Sequence, residues 1–255
     1  MTETTTAAVS PARILPRPGG ATIAYRKTAG RSPGIVFLGG FQSDMTGNKA
    51  LELETHCRSR GQAFLRFDYG GHGASSGKFE DGSVARWAED AQAALDELTE
   101  GPQVLVGSSM GGWISLLLAM WRPERVKAVV GVAAAPDFTE RLIFDAMPPE
   151  ERQVMMRDGR IVYPAEAGGA PYVVTRRLIE ESRKILLLTG AIKVACPVRL
   201  IHGMKDADVP WRWAPDIAER LAGSDVRVTL VKEGDHRLSH PDDLALLWNT
   251  VEEFI

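Results

Sequence analysis

The sequence predicts a single α/β domain in which helices flank a mostly parallel central sheet. Seven short runs rich in β-branched and other apolar residues have the length and composition of strands. Amphipathic stretches with helical spacing separate most of these runs, and this alternation is typical of a parallel sheet covered on both faces. A chain of 255 residues is long enough to form one such domain with a substantial core.

The elements follow one another in a regular order along the chain. We predict strands over residues 21–27, 34–38, 63–69, 103–106, 127–132, 198–202 and 226–231. Apolar residues on one helical face predict a helix over 83–100 and another near the C-terminus, from Leu244 onwards. The residues before the first strand contain several prolines and are expected to form a loose leader.

Residues 137–193 interrupt this alternation and are predicted to form a helical cap inserted into the domain. The stretch contains no convincing strand and carries the breaks Pro148-Pro149 and Gly168-Gly169. An insertion at the carboxyl end of a parallel sheet commonly covers a site and shapes its pocket. Six side chains could line that pocket or simply pack the cap on the body: Phe138, Phe144, Met147, Met155, Met156 and Tyr163.

Composition excludes several classes of function. The net charge of -3 and the scattered basic residues give no basic surface, so we expect neither a nucleic-acid partner nor membrane insertion. Cys57 and Cys196 lack metal-binding spacing and are expected to be free, buried thiols in a reducing compartment. No targeting leader is visible in the first residues, and we therefore expect a cytoplasmic location. No metal or cofactor is expected, and the oligomeric state is left open.

Ser109 is the strongest candidate for a catalytic residue. It is the serine of a G-x-S-x-G element, Gly107 to Gly111, that joins the apolar run 104–106 to a second apolar run over 113–121. A sharp turn from strand to helix exposes a serine hydroxyl to a histidine base and to backbone N–H donors. Glycines at both ends permit the strand and the helix to approach closely. The context therefore predicts a nucleophile elbow rather than an ordinary βα turn.

Two of the five histidines are serious candidates for the base. In the elbow architecture the acid and then the histidine follow the serine along the chain. His236 follows the predicted strand 226–231 in a loop at its carboxyl end, and we prefer it for this reason. His240 precedes Pro241 and is better explained as the start of a helix. The other three occupy positions that fit structural roles: His56, His72 and His202.

The acid is expected directly after the strand 198–202. Asp206 and Asp208 both lie there, and Asp206 comes first out of the strand. Its carboxylate would accept the Nδ1 hydrogen of the base, fix the tautomer of the imidazole and stabilise the imidazolium. Position favours Asp206 modestly, and Asp208 remains the alternative.

An oxyanion hole needs two N–H donors near Ser109. The residue after the nucleophile, Met110, supplies one. The strand 34–38 ends in Gly39-Gly40, which leaves the backbone N–H of Phe41 able to turn inward as the second. The alternative for Phe41 is a plain turn at the end of a strand.

With these residues assembled, the sequence resembles the α/β-hydrolase superfamily. The similarity extends to one subfamily, the mitochondrial palmitoyl-protein thioesterases that also hydrolyse acyl glucuronides. Five stretches carry it: residues 40–45, 66–73, 107–113, 202–206 with 209–211, and 235–237. The resemblance implies a triad of Ser109, Asp206 and His236, and it strengthens Asp206 over Asp208. It also implies a capped enzyme that needs no cofactor.

The sequence thus predicts a serine hydrolase that cleaves carboxylic esters or thioesters through an acyl-enzyme. Its substrate would be a small molecule or an acylated protein. One alternative is a different reaction on the same triad, either C–C bond hydrolysis or peptide hydrolysis. Another is a non-catalytic protein that keeps the fold and binds a ligand, because fold alone does not establish activity.

Overall fold

The computed structural model describes residues 12–163 and 172–255 and is built on an eight-stranded sheet. The ten strands are β1 (Arg13–Pro16), β2 (Thr22–Thr28), β3 (Arg31–Leu38), β4 (Gln62–Phe67), β5 (Gln103–Ser108), β6 (Val126–Val132), β7 (Arg160–Tyr163), β8 (Tyr172–Thr175), β9 (Val198–Gly203) and β10 (Val226–Val231). The main sheet has the order β1-β2-β4-β3-β5-β6-β9-β10. Only its pairs β1–β2 and β2–β4 are antiparallel, which confirms the predicted, mostly parallel sheet.

Helices cover both faces of this sheet. They are α1 (Asn48–Arg60), α2 (Val84–Leu98), α3 (Met110–Trp121), α4 (Pro149–Asp158), α5 (Arg176–Ser182), α6 (Trp213–Arg220) and α7 (Pro241–Glu252). One hydrophobic cluster packs α2, α3 and α6 on one face, and a second packs α1 and α7 on the other. Among the described residues, no helix has both the length and the apolar character needed to cross a bilayer.

Each predicted strand is present, with small differences at its ends. β3 begins at Arg31, three residues earlier than predicted, and β5 continues to Ser108. The predicted apolar face of α2 is buried throughout, and Ser83 caps the helix by accepting a hydrogen bond from the Arg86 N–H at 3.3 Å. The leader was expected to be loose, but it contains β1, a four-residue edge strand. β1 has only four residues, and only Leu15 of them is buried, so the strand is too short to show an alternating pattern in the sequence.

The expectation that residues 137–193 contain no strand is wrong. After a π-helical turn over Thr139–Phe144 and helix α4, the antiparallel strands β7 and β8 pair from Arg160 with Thr175 to Tyr163 with Tyr172. Each strand has four residues, which is too short for its β-branched residues to form a recognisable period. Gly168-Gly169 lies outside the described residues. That this stretch acts as a cap over a site stays a prediction.

The six apolar side chains of this stretch that could line a pocket differ in how deeply they are buried. Phe138, Met147 and Met155 are buried in the larger hydrophobic cluster, so these side chains pack the stretch on the body. Phe144 and Tyr163 are partly buried against the same cluster, and Met156 is 39% exposed. Packing rather than pocket lining therefore accounts for the three buried side chains.

Asp137 fastens the two ends of this stretch together. Its buried carboxylate accepts the N–H groups of Leu187 and Leu188, each at 2.7 Å. Close by, the indole N–H of Trp113 in α3 donates to the Ile185 carbonyl at 3.2 Å. The entrance and the exit of residues 137–193 are thus joined to each other and to the helix that follows Ser109.

Candidate active site

Ser109 occupies a sharp turn between β5 and α3. Its backbone angles, φ 54° and ψ −115°, are unusual for a residue with a side chain and cost on the order of 1–3 kcal/mol. Neighbouring backbone holds this conformation, because the Ser109 N–H donates to Val132 at 2.9 Å. The Ser109 carbonyl accepts the N–H groups of Gly112 at 2.9 Å and of Ala135 at 3.1 Å. The segment after β6 therefore holds the elbow in place.

Glycines are required where the elbow meets its neighbours. A Cβ atom on Gly111 would lie 2.1 Å from the carbonyl oxygen of Leu38, at the end of β3. A Cβ atom on Gly107 would lie 2.2 Å from the Gly111 carbonyl oxygen. Both distances are far inside van der Waals contact, so α3 can approach β3 and β5 this closely only without these side chains.

Asp206 and His236 are in direct contact. Asp206 follows β9 and His236 follows the adjacent β10, and the Nδ1 atom of His236 lies 2.8 Å from Oδ2 of Asp206. The two loops touch, since a Cβ atom on Gly203 would lie 2.3 Å from the Gly234 carbonyl oxygen. The Asp206 side chain is fully buried and that of His236 is 23% exposed. The His236 ring can therefore reach solvent while the Asp206 carboxylate is shielded from it.

Four hydrogen bonds surround the Asp206 carboxylate. Its Oδ1 accepts the N–H groups of Asp208 at 2.9 Å and Val209 at 2.8 Å. Its Oδ2 accepts from Nε2 of His202 at 3.0 Å as well as from His236. Burial opposes ionisation, but the hydrogen bonds from His202, His236 and Val209 outweigh it and hold the pKa of Asp206 well below its ordinary value of 3.8. Asp206 is consequently a carboxylate throughout the neutral range.

The two alternative candidates have other surroundings. Asp208 is exposed, and its backbone N–H supports Asp206. His240 is the N-cap residue of α7, and its N–H donates to the Asp243 carboxylate at 3.2 Å. The geometry therefore favours Asp206 over Asp208 and His236 over His240.

The remaining histidines divide between structural and supporting positions. His56 stacks on Trp248 with ring centroids 4.7 Å apart. His72 is buried beside Phe79 and Trp87, and burial lowers its pKa to about 4, so its ring is neutral. The sequence predicts a structural role for His202, and the structure adds its contact with Asp206. A signal was available, because a histidine within an otherwise largely apolar strand, just before the predicted acid, needs a polar partner.

The loop after β3 lies against the elbow. A Cβ atom on Gly40 would lie 3.5 Å from Cβ of Ser109, which places the following residue, Phe41, close to Ser109. Met110 is the first residue of α3, where a backbone N–H has no carbonyl one turn earlier in the helix. The Phe41 ring packs edge-on against Phe79 at 4.9 Å and Phe138 at 5.2 Å, which anchors the loop. The oxyanion role of Phe41 and Met110 stays a prediction.

The site does not suit a metal ion. Within the described ranges, one group of three residues could bring ligand atoms within 4.8 Å of one another, namely Asp206, Asp208 and His236. Each oxygen of Asp206 already accepts two hydrogen bonds, which fills its acceptor capacity. The contacts of Asp206 therefore fit a hydrogen-bonded pair with His236 rather than metal coordination.

The chain belongs to the α/β-hydrolase family. Residues 35–179 match the family described as the alpha/beta hydrolase fold. The human mitochondrial palmitoyl-protein thioesterase ABHD10 is 42% identical over 243 residues, which cover 95% of this chain and 79% of that protein. The fold class and the subfamily resemblance predicted from the sequence are confirmed.

Two solved structures are similar over nearly the whole chain. Alpha/beta hydrolase domain-containing protein 10 from mouse has a TM-score of 0.88 at 39% identity, covering 96% of this chain and 98% of that one. A putative hydrolase from Agrobacterium vitis S4 has a TM-score of 0.89 at 40% identity, covering 96% and 97%. Together with the family match and the relatives named palmitoyl-protein thioesterase, these structures confirm the expectation of an enzyme with a hydrolase fold.

The expected cytoplasmic location is wrong. The similar rat, bovine, mouse and human proteins are all named as mitochondrial. Cys57 and Cys196 are free thiols in the structure, and burial raises the pKa of Cys57 to about 12 and that of Cys196 to about 11.

Proposed function

We propose that this chain hydrolyses acyl thioesters or carboxylic esters, with Ser109 as the nucleophile, His236 as the base and Asp206 as the acid of a triad. The observation that carries the proposal is the 2.8 Å hydrogen bond between His236 and a buried Asp206. These residues lie in the loops after β10 and β9, which run parallel to β5, the strand that ends in the elbow. A weak nucleophile needs such a base, and the base needs an orienting partner.

The reaction follows from these positions. His236 Nε2 takes the proton of Ser109 Oγ as Oγ bonds to the acyl carbon, and the carbonyl electron pair moves onto oxygen. The backbone N–H groups of Met110 and Phe41 stabilise this oxyanion, and one such donor contributes about 3 kcal/mol. The intermediate then collapses, and the protonated His236 donates its proton to the leaving alcohol or thiol.

Water completes the cycle by the same route. His236 removes a proton from water as its oxygen attacks the acyl-enzyme carbon, and the second intermediate expels Ser109 Oγ, which regains its proton from the imidazolium. Throughout, the carboxylate of Asp206 keeps the Nδ1–H tautomer in place and stabilises the positive charge on the imidazole. The products are a carboxylic acid and an alcohol or thiol.

The relatives support an acyl thioester as the substrate class. The similar mammalian proteins are named palmitoyl-protein thioesterases, and the chain covers about four fifths of their length. We therefore propose long-chain acyl thioesters, including those on acylated proteins, as the preferred substrates. Oxygen esters of the same acyl groups serve as the comparison substrates, because they differ from the thioesters only at the atom that leaves.

Labelling with a fluorophosphonate probe tests the nucleophile. We expect one stoichiometric adduct on Ser109, found by peptide mass spectrometry. Adduct formation should be lost in Ser109→Ala and retained in Ser108→Ala, the matched control one residue earlier. Equal labelling of Ser109→Ala and the parent protein would overturn the assignment.

Turnover of matched substrates tests the reaction. The values of kcat/KM for oxygen esters and thioesters of increasing chain length should be highest for long thioesters. His236→Ala should lower them by at least about 10³-fold, while His240→Ala leaves them within a few-fold. Absence of turnover on every member of the series, with a small molecule still bound, would support a non-catalytic binding protein instead.

A further inference from the structure

His202 is a fully buried histidine that the proposed reaction does not use. It lies near the end of β9, between β6 and β10, and its side chain has no exposure to solvent. The rest of β9 is buried as well, so the imidazole is enclosed by the interior of the domain. A polar ring in this environment needs hydrogen-bond partners to offset the loss of hydration.

The contacts of His202 define its protonation state. Nε2 lies 3.0 Å from Oδ2 of Asp206 and 3.0 Å from the carbonyl oxygen of Val209, and both of these atoms are acceptors. Nε2 must therefore carry the hydrogen. Nδ1 is buried and has no hydrogen-bond partner among residues 12–163 and 172–255. A charged ring would have a second N–H with no acceptor, so His202 is neutral.

His202 and Val209 close a ring of hydrogen bonds around the acid. Val209 donates its N–H to Oδ1 of Asp206 at 2.8 Å and accepts from His202 through its carbonyl oxygen. His202 donates to Oδ2, the same oxygen that receives the Nδ1 hydrogen of His236. Because both carboxylate oxygens accept hydrogen bonds from different directions, the carboxylate cannot rotate about its Cβ–Cγ bond without breaking at least one of these hydrogen bonds.

We propose that His202 is a positioning residue for the reaction: its neutral Nε2–H fixes Oδ2 of Asp206 at the place where His236 must find it. This inference rests on the proposed function, because it presumes that the His236–Asp206 pair drives turnover. His202 would touch neither substrate nor the reacting atoms. Its loss should therefore act on the chemical step and leave substrate binding almost unchanged.

Two substitutions separate positioning from simple packing. His202→Phe keeps a ring of similar size and removes the donor, whereas His202→Gln places an amide N–H near the position of Nε2. We expect kcat to fall about 10- to 100-fold in His202→Phe, the usual effect of losing a hydrogen bond to a charged group, with KM within about threefold. His202→Gln should recover kcat to within about fivefold of the parent protein.

The measurements are kcat and KM on a long-chain thioester, with the thermal midpoint of each variant as a check on folding. Parent-like kcat in His202→Phe, or equal losses in the Phe and Gln variants, would overturn the inference. If His202→Phe does not fold, His202→Asn replaces it, because its shorter amide cannot reach Asp206 and its kcat should fall well below that of His202→Gln.

Labelling and turnover of the parent protein separate a failure of the proposed function from a failure of the positioning role of His202. An unlabelled Ser109 and an inactive parent protein would contradict the proposed function itself, and the positioning role would fail with it. A labelled and active parent protein whose His202 variants show no difference between Gln and Phe would contradict only the role of His202.

Discussion

At the scale of single residues, the site depends on a carboxylate whose acceptor positions are all occupied. Asp206 has no contact with water, yet it stays ionised because His202, His236 and two backbone N–H groups point at it. A second carboxylate, that of Asp208, lies in the same loop but is exposed. The two aspartates therefore have similar chemistry and very different surroundings, which makes them a matched pair for experiment.

Asp206→Asn is predicted to remove most activity. The neutral amide cannot stabilise the imidazolium, and its NH₂ group would face one of the donors now bound to the carboxylate. We expect kcat/KM to fall by about 10³-fold or more, by analogy with the triads of serine proteases. Steady-state kinetics on a thioester, together with the unfolding midpoint, would measure this.

Asp208→Asn is the control for this prediction. It removes a charge from the same loop and keeps the backbone N–H that supports Asp206, so kcat/KM should stay within about threefold of the parent value. Comparable losses in both variants would mean that loop charge, rather than the hydrogen bond to His236, controls the base.

The sequence nominates Ser109 and His236 because each follows a strand of recognisable pattern, in the expected order along the chain. Position favours Asp206 over Asp208 only modestly, and the family resemblance strengthens that choice. For His202 the sequence indicates only that a histidine in a largely apolar strand needs a polar partner. Its function depends on which face of β9 its ring occupies and on the turn that brings Val209 back, and neither is encoded in a local pattern.

At the scale of elements, the elbow is a junction at which α3 passes unusually close to β3. The closest point is Gly111, whose backbone approaches the Leu38 carbonyl. In the loop after β3, a Cβ atom added to Gly40 would lie 3.5 Å from Cβ of Ser109. Packing at the junction and geometry at the nucleophile are therefore coupled.

Gly111→Ala is predicted to destabilise the protein and to displace the elbow. The added Cβ would lie 2.1 Å from the Leu38 oxygen and 2.6 Å from its carbonyl carbon, and backbone atoms cannot move aside as a flexible side chain can. We expect a loss of at least about 2 kcal/mol in the free energy of unfolding. Chemical denaturation would measure it, and fluorophosphonate labelling should slow in the fraction that folds.

Gly190→Ala provides the comparison. Gly190 has no atom within 4 Å of an added Cβ and no left-handed backbone, so the change should be neutral or stabilise by up to about 1 kcal/mol. A Gly111→Ala protein as stable as Gly190→Ala would show that α3 can shift without cost.

Elements with a long apolar period were predictable, and short ones were not. The seven predicted strands and α2 carry enough apolar residues to be recognised in the sequence. The four-residue strands β1, β7 and β8 carry too few, and they form only because neighbouring backbone offers hydrogen-bond partners. This is information about tertiary structure, which a local pattern does not contain.

At the scale of the whole molecule, buried charges join distant parts of the chain. Glu54 in α1 and Arg66 in β4 form an ion pair at 2.5 Å in which the side chains are 8% and 3% exposed. Arg66 also donates to the Met45 carbonyl at 2.8 Å, and Arg58 donates to Glu54 at 2.6 Å. This group fixes α1 on the sheet beside the loop that leads from Phe41.

Glu54→Gln is predicted to destabilise the protein in a pH-dependent way. Burial opposes ionisation of Glu54, but hydrogen bonds from Arg66 and Arg58 outweigh it and lower its pKa below the ordinary 4.5. A carboxyl whose pKa is lowered by folding stabilises the folded state above its unfolded pKa, and this contribution disappears as the pH falls through the folded value. At neutral pH the variant should lose about 3 kcal/mol, because Arg66 keeps its charge without a full partner.

Denaturant titrations of both proteins between pH 7 and pH 3 would test this prediction. The difference in unfolding free energy should be constant above about pH 5 and shrink below about pH 4.5, where the unfolded parent chain begins to protonate Glu54 while the folded protein still keeps it ionised. Glu97→Gln, which breaks the exposed pair with Arg17 at 2.9 Å, should cost less than about 1 kcal/mol across this range. A difference for Glu54→Gln that grows on acidification would reverse the sign of the linkage, and the ion pair could then not be what attaches α1 to the sheet.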